Sequence, residues 1–311
     1  MDSSNRQPRR GLVIGCGGTL GAAWTVAALS NLEDELGWDP READLLIGTS
    51  AGAELVTMLG SGIRVEEILA MQLGTATEPA LVGHLADAPG RFPPLPKPWP
   101  GSPRLAAKLA GVRSAAGLLP IGSGDAAWLD RLATQLNPGS EWVSHPATWL
   151  VAMDYDSGRR VAFGSPGAPQ ATISQALRAS WGIPGWFPPV DIAGRRYVDG
   201  GVASTASVDL ALPLHLDEVI VLAPMASASR IPASGPARIE RLLRGHMSTG
   251  LDGEVAALEK SGTRVVRIDA TDADLAVMGP NFMDDRRRLA TLEHSLRSTR
   301  VAVRRVAGAL A

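Results

Sequence analysis

Three short stretches of this chain hold residues whose type and spacing could do chemistry. Ser50 sits in Gly48-Thr49-Ser50-Ala51-Gly52, a G-x-S-x-G pattern. Such a pattern acts as a nucleophile elbow when a strand runs into it and a helix runs out. Glycines flank the serine because a Cβ there would strike the neighbouring strand and helix. The helix start sets positive partial charge beside the serine oxygen, where it favours an alkoxide or oxyanion. The second stretch, Gly15-Cys16-Gly17-Gly18-Thr19-Leu20-Gly21, bares several backbone N–H groups at a helix start, which makes an anion site. It suits an oxyanion or a phosphate, but it is no P-loop, since no Lys-Ser/Thr follows. The third stretch, Asp199-Gly200-Gly201, closes a short apolar run and leaves a carboxylate exposed where the chain turns away. On its own it is only a turn signal.

A serine nucleophile needs a base. The histidines stand at 84, 145, 215, 246 and 294, none in a glycine-marked strand-end loop. Each reads as a surface or packing residue. Ser50 also comes after only one preceding strand, too early for an ordinary α/β-hydrolase triad. Asp199 is the better candidate. A loose dinucleotide fingerprint in the first glycine turn is a weaker alternative. The acidic residues Glu42 and Asp44 stand before or at the start of the second strand, not at its end, where ribose would be held.

The surrounding pattern supplies the elements that would position these groups. An apolar run at 11–15 reads as a buried strand, and 20–36 has helical periodicity stopped by Gly37. A second strand over 43–47 breaks at the Ser50 elbow, and a helix covers 53–59. Strand, helix, strand, helix in this order implies a parallel sheet with helices outside. Further strands are expected at 148–153, 160–163, 195–198, 218–222 and 263–268, with helices at 125–136 and 173–180 and a terminal helix over 284–310. Between 87 and 104 prolines recur too densely for helix or central strand. With an amphipathic stretch at 105–119 this makes an insertion over 87–119, read equally well as a lid or as an idle surface loop.

Composition narrows the class. Apolar residues make up 45% and the net charge is -2, so the chain can bury a core and lacks the basic field of a nucleic-acid binder. The single cysteine, Cys16, precludes an intrachain disulfide and fits a reducing cytoplasm. No apolar run is long enough to span a bilayer. Arginine far outnumbers lysine and Ala, Gly and Pro abound, the composition of a GC-rich bacterial gene. The first ten residues read as a disordered tail and 11–311 as one domain.

Taken in order, the glycine turn at 15–21, the elbow at 48–52 and Asp199-Gly200-Gly201 resemble the patatin-like phospholipase family. The stretch Ala179-Ser180-Trp181-Gly182-Ile183-Pro184-Gly185-Trp186-Phe187-Pro188-Pro189-Val190 and the hairpin at 154–163 are similar to it as well. The likeness covers about residues 11–223. It implies a three-layer α/β/α sandwich with a mainly parallel sheet and a Ser50–Asp199 dyad that hydrolyses acyl esters of lipids through an acyl-enzyme. It also implies backbone N–H groups of the turn Gly15, Cys16, Gly17, Gly18 and Thr19, centred on Gly17 and Gly18, to hold the oxyanion. Gly48, Gly52, Gly200 and Gly201 would support the two turns. No metal or organic cofactor is implied.

The chain departs from the family at three places. Leu20 stands where Arg or Lys is usual, Thr205 where Asn is usual and Ser207 where Pro is usual. Leu20 and Thr205 leave a catalytically idle lipid-binding protein as an alternative, and the same acyl-enzyme chemistry with the same dyad leaves a transacylase as another. The arginines of the terminal helix offer a basic face for peripheral contact with anionic lipid, against the plainer expectation of an amphipathic helix packed on the sheet. Substrate head group, chain length and oligomeric state are not written in these motifs.

Overall fold

The computed structural model describes residues 8–108, 112–226 and 237–310. Eight strands form one sheet: β1 (Arg10–Ile14), β2 (Leu45–Thr49), β3 (Thr148–Asp154), β4 (Arg160–Phe163), β5 (Val190–Ile192), β6 (Arg195–Asp199), β7 (Glu218–Ala223) and β8 (Arg264–Asp269). The order is β5-β6-β3-β2-β1-β7-β8, with β4 paired to β3. The pairs β1–β2, β1–β7, β2–β3 and β7–β8 are parallel; β3–β4, β3–β6 and β5–β6 are antiparallel. Helices flank both faces: α1 (Gly18–Leu36), α2 (Ala51–Gly60), α3 (Val65–Leu73), α4 (Pro103–Lys108), α5 (Val112–Leu118), α6 (Ala127–Leu136), α7 (Ile173–Ser180), α8 (Ala237–Lys260), α9 (Asp272–Met278) and α10 (Arg288–Leu310).

The expected three-layer α/β architecture is what the chain forms, and the reason lies in strand alternation. Leu12, Ile14, Leu46, Leu150, Ile220 and Leu222 point to one face and pack against α1, α2 and α7. Val13, Ile47, Trp149, Val151, Val219 and Val221 point to the other, under the 3-10 segment Val208–Leu214 and Leu251 and Leu258 of α8. Side chains of a strand alternate between faces, so continuous apolar runs signal a strand covered on both sides.

Several boundaries differ from expectation. β2 lies two residues later than the apolar run suggests, because Gly48 and Thr49 stay in the ladder opposite Leu150 and Val151. The stretch at 105–119 is not one helix but the short α4 and α5, and residues 109–111 between them lie outside the described residues. Of the tail expected at 1–10, residues 1–7 lie outside the described residues. Arg9 and Arg10 do not belong to it: their amides donate to Asp217 and Asp44 at 2.7 Å, and Arg10 opens β1.

The terminal helix packs chiefly on another helix, not on the sheet as the plainer expectation had it. α10 packs along α1, burying Leu292 and Val303. Three of its arginines are engaged within the protein: Arg300 donates to Asn31 Oδ1 at 2.9 Å, Arg304 to Glu35 at 2.9 Å and Arg288 to Gln72. Among the described residues no helix is long and apolar enough to cross a membrane.

Candidate active site

The position of Ser50 follows from what surrounds its glycines. A Cβ on Gly48 would stand 2.4 Å from the carbonyl oxygen of Gly52, and one on Gly52 would stand 2.2 Å from that of Ile14. β2 therefore runs against the first turn of α2, and α2 against the end of β1. Ser50, between strand and helix, is left with φ 57° and ψ −121°. A non-glycine residue held at positive φ costs on the order of 1–3 kcal/mol and persists only where neighbours over-determine it.

One of those neighbours is Ser180, the last residue of α7. Its Oγ accepts the Ser50 N–H at 2.9 Å and donates to the Val151 carbonyl at 2.7 Å. Val151 is where the ladder changes partner. β2 pairs with β3 only as far as Thr49 opposite Val151, and β6 takes over with Asp199 opposite Ala152. Since β4 occupies the opposite edge of β3 at both places, β2 and β6 share one edge end to end. Asp199 thus arrives beside Ser50 although 149 residues separate them in sequence. The Ser180 hydroxyl fills the gap in the ladder at the junction.

Both groups are almost sealed: Ser50 is 3% and Asp199 5% exposed. Burial pushes the Asp199 carboxyl up to about 7, against the opposing pull of hydrogen bonds from the Ser50 side chain and the Gly201 N–H. The second of these measures 2.7 Å. An ordinary carboxylate is a weak base for a hydroxyl, whereas one raised to near neutrality is matched to the task. A Cβ on Gly200 would come within 2.5 Å of the Val151 carbonyl, so the chain must turn there without a side chain. Glu254 of α8 holds the loop that follows, accepting from Ser204 Oγ at 2.5 Å and from the Val208 N–H at 2.9 Å.

The glycine turn divides into used and open donors. The Gly15 N–H is spent on the Leu222 carbonyl at 2.9 Å and the Cys16 N–H on the Thr205 carbonyl at 2.8 Å. Neither amide is free for an oxyanion, which corrects the expectation for these two residues. The N–H groups of Gly17, Gly18 and Thr19 at the start of α1 have no acceptor among the described residues. Gly18 has φ +56°, and a Cβ there would meet Phe282 at 2.5 Å. Phe282 also caps the helix, its carbonyl accepting the Leu20 N–H at 3.0 Å.

The departures noted in sequence have structural reasons. Leu20 is buried in the core, where an ion would be costly. Ser207 has φ +59°, which the proline ring forbids. Thr205 supplies the carbonyl that Cys16 uses. Cys16 itself is buried, its Sγ 3.1 Å from where a Gly201 Cβ would stand, so it packs between the two turns.

Among the described residues no histidine hydrogen-bonds Ser50 or Asp199. His84 is buried and pairs with Glu54 at 3.0 Å, and its ring lies 4.9 Å from that of Trp128. His145 reaches the Ala43 carbonyl at 2.7 Å and His294 lies 3.3 Å from Asp274. The side chain of His246 lies outside the described residues. No group of three or more His, Cys, Asp or Glu among the described residues is placed to hold a metal ion.

Comparison with known proteins adds an independent line. Residues 12–212 match the model of the family described as patatin-like phospholipase. Among solved structures, VipD from Legionella pneumophila aligns at a TM-score of 0.44 and 14% identity, covering 96% of this chain and 67% of that one. The comparison with curated proteins yields no match.

Proposed function

We propose that this chain, which belongs to the patatin-like phospholipase family, cleaves carboxylic esters of lipids with Ser50 as nucleophile and Asp199 as its base. Family membership carries the coarse statement, a lipid acyl hydrolase. The finer assignment rests on one observation: a buried carboxyl raised to about 7 hydrogen-bonded to a serine at a strained strand–helix elbow.

Asp199 takes the Ser50 hydroxyl proton as Oγ attacks the ester carbonyl carbon. The carbonyl oxygen becomes an oxyanion between the N–H groups of Gly17 and Gly18, aided by the N-terminus of α1. As the tetrahedral intermediate collapses, Asp199 returns its proton to the departing alcohol oxygen, leaving the acyl group on Ser50. Water then attacks the acyl-enzyme, gives a proton to Asp199, and a second collapse frees the acid and restores Ser50. The Ser180 bridge keeps Ser50 N and the end of β3 in register while Oγ changes bonding.

A fluorophosphonate probe tests this directly, since it reacts only with an activated serine. Labelling of the wild type, absent in Ser50→Ala and strongly reduced in Asp199→Ala, is the expected result. A folded wild type that resists the probe would overturn the assignment. Product analysis in the presence of an added alcohol separates hydrolysis from acyl transfer: free acid supports the hydrolase, a new ester the transacylase.

A further inference from the structure

The largest exposed apolar side chains do not scatter evenly over the molecule. Phe92 (66% exposed), Leu95 (91%), Trp99 (67%), Leu118 and Leu119 all lie on the insertion at 87–119. Between residues 88 and 119 the sequence holds Arg91, Lys97, Arg104, Lys108 and Arg113 and no carboxylate, in a protein whose net charge is -2. Lys97 and Arg104 have no ion-pair partner among the described residues. Bordering carboxylates offset part of this charge, Asp156 near Arg104 and Asp284 near Arg91, though they pair more closely with Arg196 and Arg286, and Asp87 pairs with Arg131. The described part of this segment therefore combines bare apolar groups, the exposed aromatic rings of Phe92 and Trp99, and more positive charge than the carboxylates near it offset.

The insertion is an ordered ribbon, not a loose loop. Lys97 N–H donates to the Ile121 carbonyl at 2.8 Å, Ile121 N–H to Trp99 at 2.9 Å and Gly101 N–H to Leu119 at 2.9 Å. Prolines at 96, 98, 100 and 120 withhold amide donors along it, so its edges offer little to an added strand. The ribbon also frames the active site. At one end the Arg91 carbonyl accepts from Asn281 at 3.0 Å, next to Phe282, which caps α1 and abuts Gly18. At the other end α5 packs on the 3-10 turn Gly200–Val202 that follows Asp199.

We propose that the apolar, basic face formed by residues 91–104 with Leu118 and Leu119 docks on an anionic lipid surface, inserting Phe92, Leu95 and Trp99 at the headgroup–acyl boundary. Apolar area supplies the insertion and the cations supply attraction to anionic headgroups, while an aromatic ring suits the polar–apolar boundary. The positive charge and the proline-blunted edges select this partner over strand pairing with a second copy. Docking by itself does not depend on chemistry at Ser50; only its effect on turnover rests on the function proposed above.

The test uses the full chain carrying Ser50→Ala, so that lipid is bound without being consumed. It is floated with phosphatidylcholine vesicles and with equimolar phosphatidylcholine–phosphatidylglycerol vesicles. The expected result is binding to the anionic vesicles, weakened by salt and reduced about tenfold or more in Phe92→Ser/Leu95→Ser/Trp99→Ser. Lys97→Gln/Arg104→Gln should lose several-fold on anionic vesicles and little on neutral ones. With Ser50 restored, the ratio of turnover on anionic vesicles to turnover on a soluble short-chain ester should fall in the triple variant. Absence of binding, or a triple variant of unchanged thermal midpoint that binds as the parent does, overturns the proposal. If the Ser50→Ala chain docks but the wild type hydrolyses nothing, the docking face stands and the proposed activity fails.

Discussion

The glycines at 48, 52 and 200 and the prolines between 89 and 103 all interrupt regular structure, yet they build regions of opposite character. Around Ser50 each glycine sits where a Cβ would fall 2.2–2.5 Å from a backbone carbonyl oxygen. Backbone presses on backbone there, and everything within reach is buried. In the insertion, the prolines withhold amides and keep two arms extended, and a Cβ at Gly90 would meet nothing within 4 Å. The side chains of Phe92, Leu95 and Trp99 face outward. Close approach fixes the reacting atoms, whereas extended, sparsely bonded chain presents a surface. A small substitution should therefore be severe around Ser50 and mild on the open arm at Gly90. Gly101 and Gly117, where a Cβ would come 1.8 Å from the Tyr155 hydroxyl and 2.8 Å from the Ser102 carbonyl oxygen, belong with the first region.

The sharpest break in that comparison is at Asp199. Asp199→Asn preserves shape but removes the proposed base, and turnover should drop by about 10³–10⁴-fold. The fold should gain. The unfolded chain ionises this carboxyl near its ordinary value of 3.8 and the folded protein at about 7. Between those values folding takes up a proton, so native stability falls as pH rises through the window and levels off above it. The penalty above pH 7 is roughly 4 kcal/mol, at about 1.4 kcal/mol per unit. An asparagine side chain escapes it, so the variant should melt higher than wild type at pH 8, with the gap closing toward pH 4. Wild-type kcat/KM should rise through about pH 7 as the base ionises. Equal melting at both pH values would mean the carboxyl is not held neutral by burial.

Next in size is Gly52→Ala. Its methyl group would stand 2.2 Å from the Ile14 carbonyl oxygen, and the contact is with backbone on a central strand that cannot swing aside. Overpacking typically costs about 1–3 kcal/mol and more where nothing yields. A thermal midpoint several degrees lower and little probe labelling at Ser50 are expected. Unchanged melting would show that α2 is free to move away from β1.

Much of this was legible in the sequence, for reasons that differ from residue to residue. Ser50, Asp199 and the glycine turn stand out because close approach forbids side chains, and the resulting glycines mark the turns. The strands were legible because burial on both faces leaves continuous apolar runs. What escaped was long-range. Nothing near Asp199 tells that β6 continues the edge of β3 that β2 leaves, so its arrival at Ser50 came from family resemblance and not from pattern. Gly48 reads as the start of the turn, yet the sheet keeps it in the ladder because Leu150 pairs with it. α8 and α9 lacked a clean apolar stripe, and β5 is too short to register. The split of the glycine turn, with the amides of Gly15 and Cys16 spent on Leu222 and Thr205, depends on loops far along the chain.

Ser180 is the clearest omission, one serine among many until its two hydrogen bonds are seen. Ser180→Ala would strand the buried Ser50 N–H and weaken the bonding of the Val151 carbonyl, each loss worth about 1–3 kcal/mol. Because Ser180 bonds the Ser50 amide and the Val151 carbonyl, its proposed role is that of a positioning residue. A fall in kcat of roughly tenfold with KM nearly unchanged is expected from a displaced elbow. Ser180→Thr, which keeps the hydroxyl, should recover most of it. If Ser180→Ala lowers stability without touching kcat, the bridge is structural only.

The smallest effect belongs to the insertion, and it tests the other half of the comparison. Gly90 lacks positive φ and has open space where a Cβ would go, so Gly90→Ala adds no clash and removes freedom chiefly from the unfolded chain. Such a change shifts stability by about 0.4–1 kcal/mol in the favourable direction. Stability equal to or slightly above wild type is expected by denaturant titration, with probe labelling of Ser50 unaltered. A loss comparable to that of Gly52→Ala would mean that the arm at Gly90 is held by close contacts as Gly101 and Gly117 are, and that its exposed apolar face is part of a rigid wall around the active site, not a surface offered to lipid.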